Sequence, residues 1–197
     1  MRSRHAANQV RIIAGTWRGR RLSFEPVPGL RPTPDRVRET LFNWLGPVIR
    51  GARCLDLYAG SGALGLEAAS RGAAEVILVD NDPRVVAALG QQMESLGAHQ
   101  VRVVRAEVLR WLGGHSSPFD VVFLDPPFRK RMLPPCMQLL ECGGWLSDQA
   151  RVYIEAEKEL VPELPENWEL LRSKQAGQVG YHLARRSGDS CNTTGGG

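Results

Sequence analysis

The sequence predicts an α/β fold: a seven-stranded, mostly parallel sheet with an antiparallel pair at one edge, preceded by a short N-terminal β-hairpin. Three observations carry this expectation. From Arg53 onward, apolar runs such as VILV (76–79) and VVFL (121–124) alternate with helical stretches. Such strands need cover on both faces, which the helices of βαβ crossovers supply. A Gly-rich loop, Asp56 to Gly65, follows the first of these strands and opens the first of the following helices. After Pro165 the alternation gives way to two adjacent strands, 168–173 and 178–185, joined by KQAG.

Taken in order, residues 10–24 read as two short strands around the turn from Gly15 to Gly19, with Trp17 and Arg18 near its tip. A Pro/Gly linker, PVPGLRPTP, follows. Thr33 then reads as a helix N-cap with Pro34 at the first helical position. That helix is expected to run to about Leu45 and stop at Gly46-Pro47, with Val37, Leu41, Trp44 and Leu45 on one face and Arg36, Arg38 and Asn43 elsewhere. Strands are expected at 54–58, 75–80, 101–105, 119–125 and 152–156, and helices near 62–71, 83–96, 107–112 and 131–142. The organisation expected is a basic hairpin and linker over 1–32, one α/β domain over 33–186, and a disordered tail over 187–197.

The 43% hydrophobic and 23% charged residues make a core-forming composition, and the apolar runs are strand-length, too short for a membrane span. The N-terminus lacks the apolar region of a secretory signal, so a cytoplasmic location is expected. Cys54, Cys136, Cys142 and Cys191 form no CxxC pair and no cluster with histidine, which predicts reduced thiols and no metal site.

Charge is unevenly spread. Residues 1–40 hold nine arginines against three acids, whereas the remainder carries 16 basic and 18 acidic residues. Arginine forks onto phosphates and stacks on bases, so the N-terminal field fits nucleic acid, although a solvated basic surface would look the same.

Gly60, Gly62 and Gly65 match GxGxxG between strand and helix, and Asp80 ends the next strand. Glycines let the backbone turn and approach a ligand closely, and an acid at the next strand end can hold both ribose hydroxyls. The plainer alternative is a turn that only packs helix on strand. Asp56 stands four residues before Gly60. Beside a dinucleotide's pyrophosphate a carboxylate is repulsive; beside the ammonium of S-adenosylmethionine it is attractive. The loop therefore points to the sulfonium cofactor.

The strand at 119–124 runs into Asp125-Pro126-Pro127-Phe128. Two prolines stiffen the backbone and remove two N–H donors, leaving carbonyls as acceptors. Asp125 adds an anionic acceptor and Phe128 a flat face. Together they suit a planar ring with an exocyclic amine, positioned so that its nitrogen meets an electrophilic methyl group. Alone, the motif would read as a Pro-rich strand end.

DLYAGSGALG, VILVDND and FDVVFLDPPF resemble the first, second and fourth motifs of class I S-adenosylmethionine-dependent amino-methyltransferases, a Rossmann-like fold. RIIAGTWRGRRL, GLRPTPDRVRETLFNWL, VYIEAEKE and AGQVGYHLARR further resemble the bacterial 16S rRNA guanine-N2 methyltransferases of the RsmD family, over roughly residues 10–186. The resemblance implies methyl transfer to N2 of a guanine in 16S rRNA of the small ribosomal subunit, naked or within the 30S particle; a monomer is expected, although no residue pattern specifies the oligomeric state. It implies that Asp56, Ala59, Gly60, Ser61 and Gly62 hold the methionine part of the cofactor. Asp80 and Asn81 would serve the ribose, and Ala106 or Glu107 the adenine, Glu107 standing where relatives carry Asp or Asn. It implies that Asp125, Pro126, Pro127 and Phe128 hold the target guanine, with Asp125 also beside the cofactor; Asp rather than Asn at 125 fits guanine. Arg11, Arg18, Arg20, Arg21, Arg31, Arg36 and Arg38 would contact RNA. Competing readings are an adenine-N6 methyltransferase of DNA or RNA, an NAD-dependent oxidoreductase, and a non-catalytic RNA-binding module.

Overall fold

The computed structural model describes residues 8–24, 32–128 and 130–188. Arg31, most of the linker, Cys191 and the tail from residue 189 lie outside the described residues. The N-terminal hairpin pairs β1 (Asn8–Arg11) with β2 (Arg21–Phe24). After α1 (Asp35–Ile49) come β3 (Arg53–Leu57), α2 (Ala63–Ser70), β4 (Glu75–Asp80), α3 (Pro83–Leu96), β5 (Val101–Arg105), α4 (Val108–Leu112), β6 (Phe119–Leu124), α5 (Leu133–Cys142), β7 (Leu146–Glu157), β8 (Trp168–Ala176) and β9 (Val179–Arg186).

The main sheet has seven strands in the order β5-β4-β3-β6-β7-β9-β8. β3 through β7 pair in parallel, while β9 runs antiparallel to both β7 and β8. The chain moves outward from β3 through β4 to β5, then crosses to β6 on the other side. The reversal between β3 and β6 opens a crevice at their carboxyl ends, the position where open parallel sheets bind ligands. Both segments singled out in the sequence, 56–65 and 125–128, leave the sheet there.

Two apolar clusters cover the sheet. One joins Leu41, Phe42 and Leu45 of α1 to Leu66 of α2, Leu89 of α3 and Phe123 and Tyr153 of the sheet. The other packs Met137 and Leu140 of α5 and Leu112 of α4 against Leu55, Val122 and Ile154. Val10, Ile12, Trp17 and Leu22 of the hairpin belong to the first cluster, so the hairpin shares the main core. At the tip of its turn the Trp17 side chain is buried, and its backbone N–H donates to Ser70 Oγ at 3.0 Å.

The first helix departs from the sequence expectation at both ends. Pro34, not Thr33, occupies the cap position, and Thr33 Oγ1 donates instead to Glu155 Oε1 at 2.7 Å. The helix also continues through Gly46-Pro47 to Ile49. A residue preceding proline is normally driven from helical geometry by a clash involving its Cβ, which Gly46 lacks. Both residues are exposed, and buried Ile49 holds the last turn in the core. β7 starts six residues earlier than expected, with a register shift against β6 between Phe119 and Val121.

Candidate active site

β3 delivers Asp56, buried at 2% exposure, to the crevice. Its Oδ2 accepts the Gly65 N–H at 2.8 Å, tying the strand end to the first turn of α2. Residue 65 must be glycine: a Cβ there would stand 2.2 Å from Leu78 Cδ2 and 3.0 Å from that same carboxylate oxygen. Burial, reinforced by Asp80 and Glu155, pushes the Asp56 carboxyl up to about 8 despite the Gly65 N–H.

The loop after Asp56 turns sharply. Tyr58, Gly60 and Gly62 all have positive φ, at 64°, 52° and 73°. For Tyr58 this is a strained conformation of the kind found at ligand-binding turns. The Ala59 N–H bonds to Val79 O and the Gly62 N–H to Ala59 O. The Gly60 N–H donates to Asp80 Oδ2 at 3.0 Å, and Asp80 Oδ1 accepts the Asp82 N–H at 2.9 Å. The loop and the end of β4 are thereby one rigid unit, with Asn81 exposed beside it. Ala106, half-buried after β5, bonds through its N–H to Asp80 O. Glu107 spends both carboxylate oxygens on capping α4, accepting from the Leu109 and Arg110 N–H groups.

Asp125 stands on the other side of the crevice, at the end of β6. Pro126 is buried, Pro127 exposed, and Phe128 is 39% exposed, an unusual solvent exposure for a large aromatic ring. Burial raises the Asp125 carboxyl well above the usual range, and Glu155 and Asp56 add to the shift. Pro32, Thr33, Asp56, Tyr58 to Ser61, Ala63, Leu64 and Asp125 line one cleft. Its chemistry fits a nucleoside carrying an ammonium group. It offers a carboxylate whose Oδ1 has no hydrogen-bond partner among the described residues and, at Gly60, backbone without a side chain, held by Asp80 from the end of β4. Among the described residues no group of His, Cys, Asp and Glu is arranged to hold a metal ion.

The family model "Conserved hypothetical protein 95" matches residues 10–185. Ribosomal RNA small subunit methyltransferase D of Escherichia coli K12 is 51% identical over 91% of each chain. The Haemophilus influenzae protein of the same name is 45% identical, over 91% of this chain and 95% of its own. The solved Escherichia coli protein yhhF superposes with a TM-score of 0.85 at 52% identity, covering 92% of this chain and all of its own. The chain belongs to the RsmD family of methyltransferases.

As a member of the RsmD family it is an enzyme of the class I methyltransferase fold, and S-adenosylmethionine is its cofactor. The structure brings Asp56, Ala59, Gly60, Ser61 and Asp125 to one cleft, with Gly62 opening α2 beneath it. Arg11, Arg18, Arg20, Arg21 and Arg36 are exposed. Arg38 is a correction: it is fully buried, donating to Thr33 O at 3.2 Å, Arg11 O at 2.8 Å and Asp35 Oδ1 at 2.6 Å, so it has no face for a phosphate.

Sequence reasoning missed Thr33, Tyr153 and Glu155, which meet beside the cleft, and Glu67 and Ser70, which hold the hairpin. Glu67, wholly buried, accepts the Ile13 and Ala14 N–H groups at 2.7 and 3.0 Å and pairs with Arg71 at 2.7 Å. The legible signal was an acid inside an apolar stretch: Glu155 in VYIEA and Glu67 in ALGLEAA. An isolated carboxylate is buried only where partners await it.

Proposed function

We propose that this enzyme methylates the exocyclic N2 of a guanine in 16S rRNA of the small ribosomal subunit. The observation that carries the reading is the shared cleft: Asp125 and the Pro126 corner border the same space as Asp56 and the Gly60 loop. The Escherichia coli relative named for small-subunit rRNA, 51% identical, supports the substrate class.

In this reading Asp56 holds the cofactor's ammonium group, the Gly60–Gly62 backbone lies along its methionine part, and Asp80 takes the ribose hydroxyls. When bound, the cofactor supplies an electrophilic methyl group on a positively charged sulfur. The chain supplies position and charge. Asp125 and the carbonyls of the proline corner accept the amine hydrogens and aim the nitrogen lone pair. Asp125 offsets the positive charge that develops on nitrogen and receives the departing proton. A base within folded RNA must leave its stack to enter, and exposed Phe128 offers a ring for it to stack on. The exposed arginines of the hairpin and of α1 grip phosphates around the target. The working form is a cytoplasmic monomer acting on 16S rRNA in the assembling or assembled 30S particle; among the described residues no helix is long and apolar enough to cross a membrane.

The test is transfer of tritiated methyl groups to naked 16S rRNA and to unmethylated 30S particles, followed by nucleoside analysis. N2-methylguanosine is the expected product. Label in N6-methyladenosine, or in neither RNA substrate, would overturn the assignment.

A further inference from the structure

We propose that Glu155 is a positioning residue of the reaction, a second carboxylate beside Asp125 that governs when Asp125 is ionised and anchors Thr33 in the cleft wall. The proposal rests on the reading of Asp125 as acceptor of the amine hydrogens.

β6 and β7 are parallel with Leu124 opposite Ile154, so Asp125 and Glu155 leave that pair as neighbours. Adjacent strands lie only about 4.8 Å apart. Glu155 is 4% exposed. Its Oε1 accepts two hydroxyls, from Thr33 at 2.7 Å and Tyr153 at 2.9 Å. Thr33 lines the cleft together with Asp125, so its hydroxyl bond ties Glu155 to the cleft wall.

The charged and titratable surroundings are almost all acidic. Asp56 faces Asp125 from β3, Tyr153 and Glu155 from β7, and Tyr181 of β9 faces Tyr153. α1 contributes Arg38, but its Nε donates to the Thr33 carbonyl and its Nη1 faces Glu67 of α2 at 3.6 Å. Burial raises the carboxyls of Asp125 and Glu155 alike. The two are not equivalent, however. Glu155 has two hydroxyl donors, which favour its anion. Asp125 accepts no hydrogen bond among the described residues and bears the repulsion of Glu155 and Asp56. As pH falls, the proton shared by the pair goes to Asp125 first.

That order matters for the chemistry. Converting NH2 to NH–CH3 releases one proton, which an ionised Asp125 accepts and passes to water. A protonated Asp125 cannot take that proton, and it accepts the amine hydrogens only through its carbonyl oxygen, without the charge that strengthens the bond. The Glu155 charge thus makes Asp125 a better proton acceptor while narrowing the pH range in which it is available.

The experiment is the single-turnover methylation rate at saturating cofactor and rRNA substrate, from about pH 5 to about pH 9, for the parent enzyme and three variants. Glu155→Gln keeps an Oε1 acceptor for both hydroxyls but removes the charge, and the acid limb of its profile is expected to move down by about one pH unit. Tyr153→Phe removes one hydroxyl donor and returns part of the shared proton to Glu155, so the limb moves the same way by less. It keeps the buried ring and serves if Glu155→Gln does not fold. An acid limb left in place in the folded variants, with the rate lowered equally at every pH, would reduce Glu155 to a structural residue and overturn the proposal. Asp125→Asn is the third arm. Near-normal turnover there would instead overturn the reading of Asp125 itself, whatever Glu155 does.

Discussion

At Asp56 the proposed cofactor contact and the stability of the fold depend on one carboxyl. Its carboxyl titrates at about 8 in the protein against an ordinary 3.8, chiefly because it is buried. A carboxyl raised in the folded state contributes stability that is full below its ordinary value and is lost as pH climbs through the raised one. The cofactor-free enzyme is therefore expected to lose stability between about pH 4 and about pH 8. An ammonium beside Asp56 favours the ionised form, so cofactor binding should expel a proton. Calorimetry near pH 7 in buffers of different ionisation enthalpy is expected to detect that release, and Asp56→Asn should abolish it; identical heats in all buffers would contradict the placement of the ammonium.

Arg38 makes the contrasting case at the same scale. Its sequence neighbours Arg36 and Glu39 are exposed, yet its own guanidinium joins the Thr33 and Arg11 carbonyls to Asp35. Breaking a buried ionic network by removing one partner typically costs about 3–5 kcal/mol. Urea unfolding of Arg38→Ala should therefore show a loss of unfolding free energy of that order. Arg36→Ala should leave the unfolding free energy within about 0.5 kcal/mol of the parent and weaken only RNA binding. Equal stability losses would mean that the buried network contributes nothing particular.

Among elements, the hairpin's attachment is the most specific. Its turn docks on the second half of α2, the helix that the cofactor loop begins. Thr16 N–H donates to Ser70 O at 2.8 Å, and Ser70 Oγ donates to Ala14 O at 2.6 Å. Gly15 has φ +82°, and a Cβ there would stand 1.8 Å from Ser70 O, a backbone atom that cannot step aside. Gly15→Ala should dislodge the turn while leaving the cofactor loop intact. The expected result is a KM for RNA raised by an order of magnitude or more with S-adenosylhomocysteine affinity retained. Unchanged RNA kinetics would separate the hairpin from substrate binding.

The elements themselves were largely legible, because period and punctuation are local. The observed bounds of β4, α3 and β5 match the expected ones. α1 was not, because Gly46-Pro47 is a stop signal only where nothing beyond it is buried, and Ile49 supplies that burial. The start of β7 was hidden because Ser147, Asp148 and Gln149 are polar, Asp148 and Gln149 exposed, and they fall in the register shift between Leu146 and Arg151, which only the fold reveals.

For the whole molecule, charge is organised by region. The exposed arginines of residues 11–36 stand on one end of a chain whose remainder is net acidic. If they bind phosphates, each contact releases counterions, and log affinity falls linearly with log salt. Arg18→Ala is expected to reduce that slope by about one and to weaken binding alike for target and non-target RNA. A slope unchanged by the substitution would remove Arg18 from the interface.

The amino-acid order by itself determined the α/β class, the Gly60 loop after the first strand of the main sheet and the Asp125 corner. Each is written in a few adjacent residues whose conformational limits and spacing act locally. Only the tertiary structure decided that β3 and β6 lie side by side, so that Asp56 and Asp125 share one cleft. It alone joined Thr33 to Glu155 across 122 positions of chain, and withdrew Arg38 from the surface. The physical reason is the same in each instance. Burial and pairing of a charged group depend on what the fold brings beside it, and chain neighbours do not specify that.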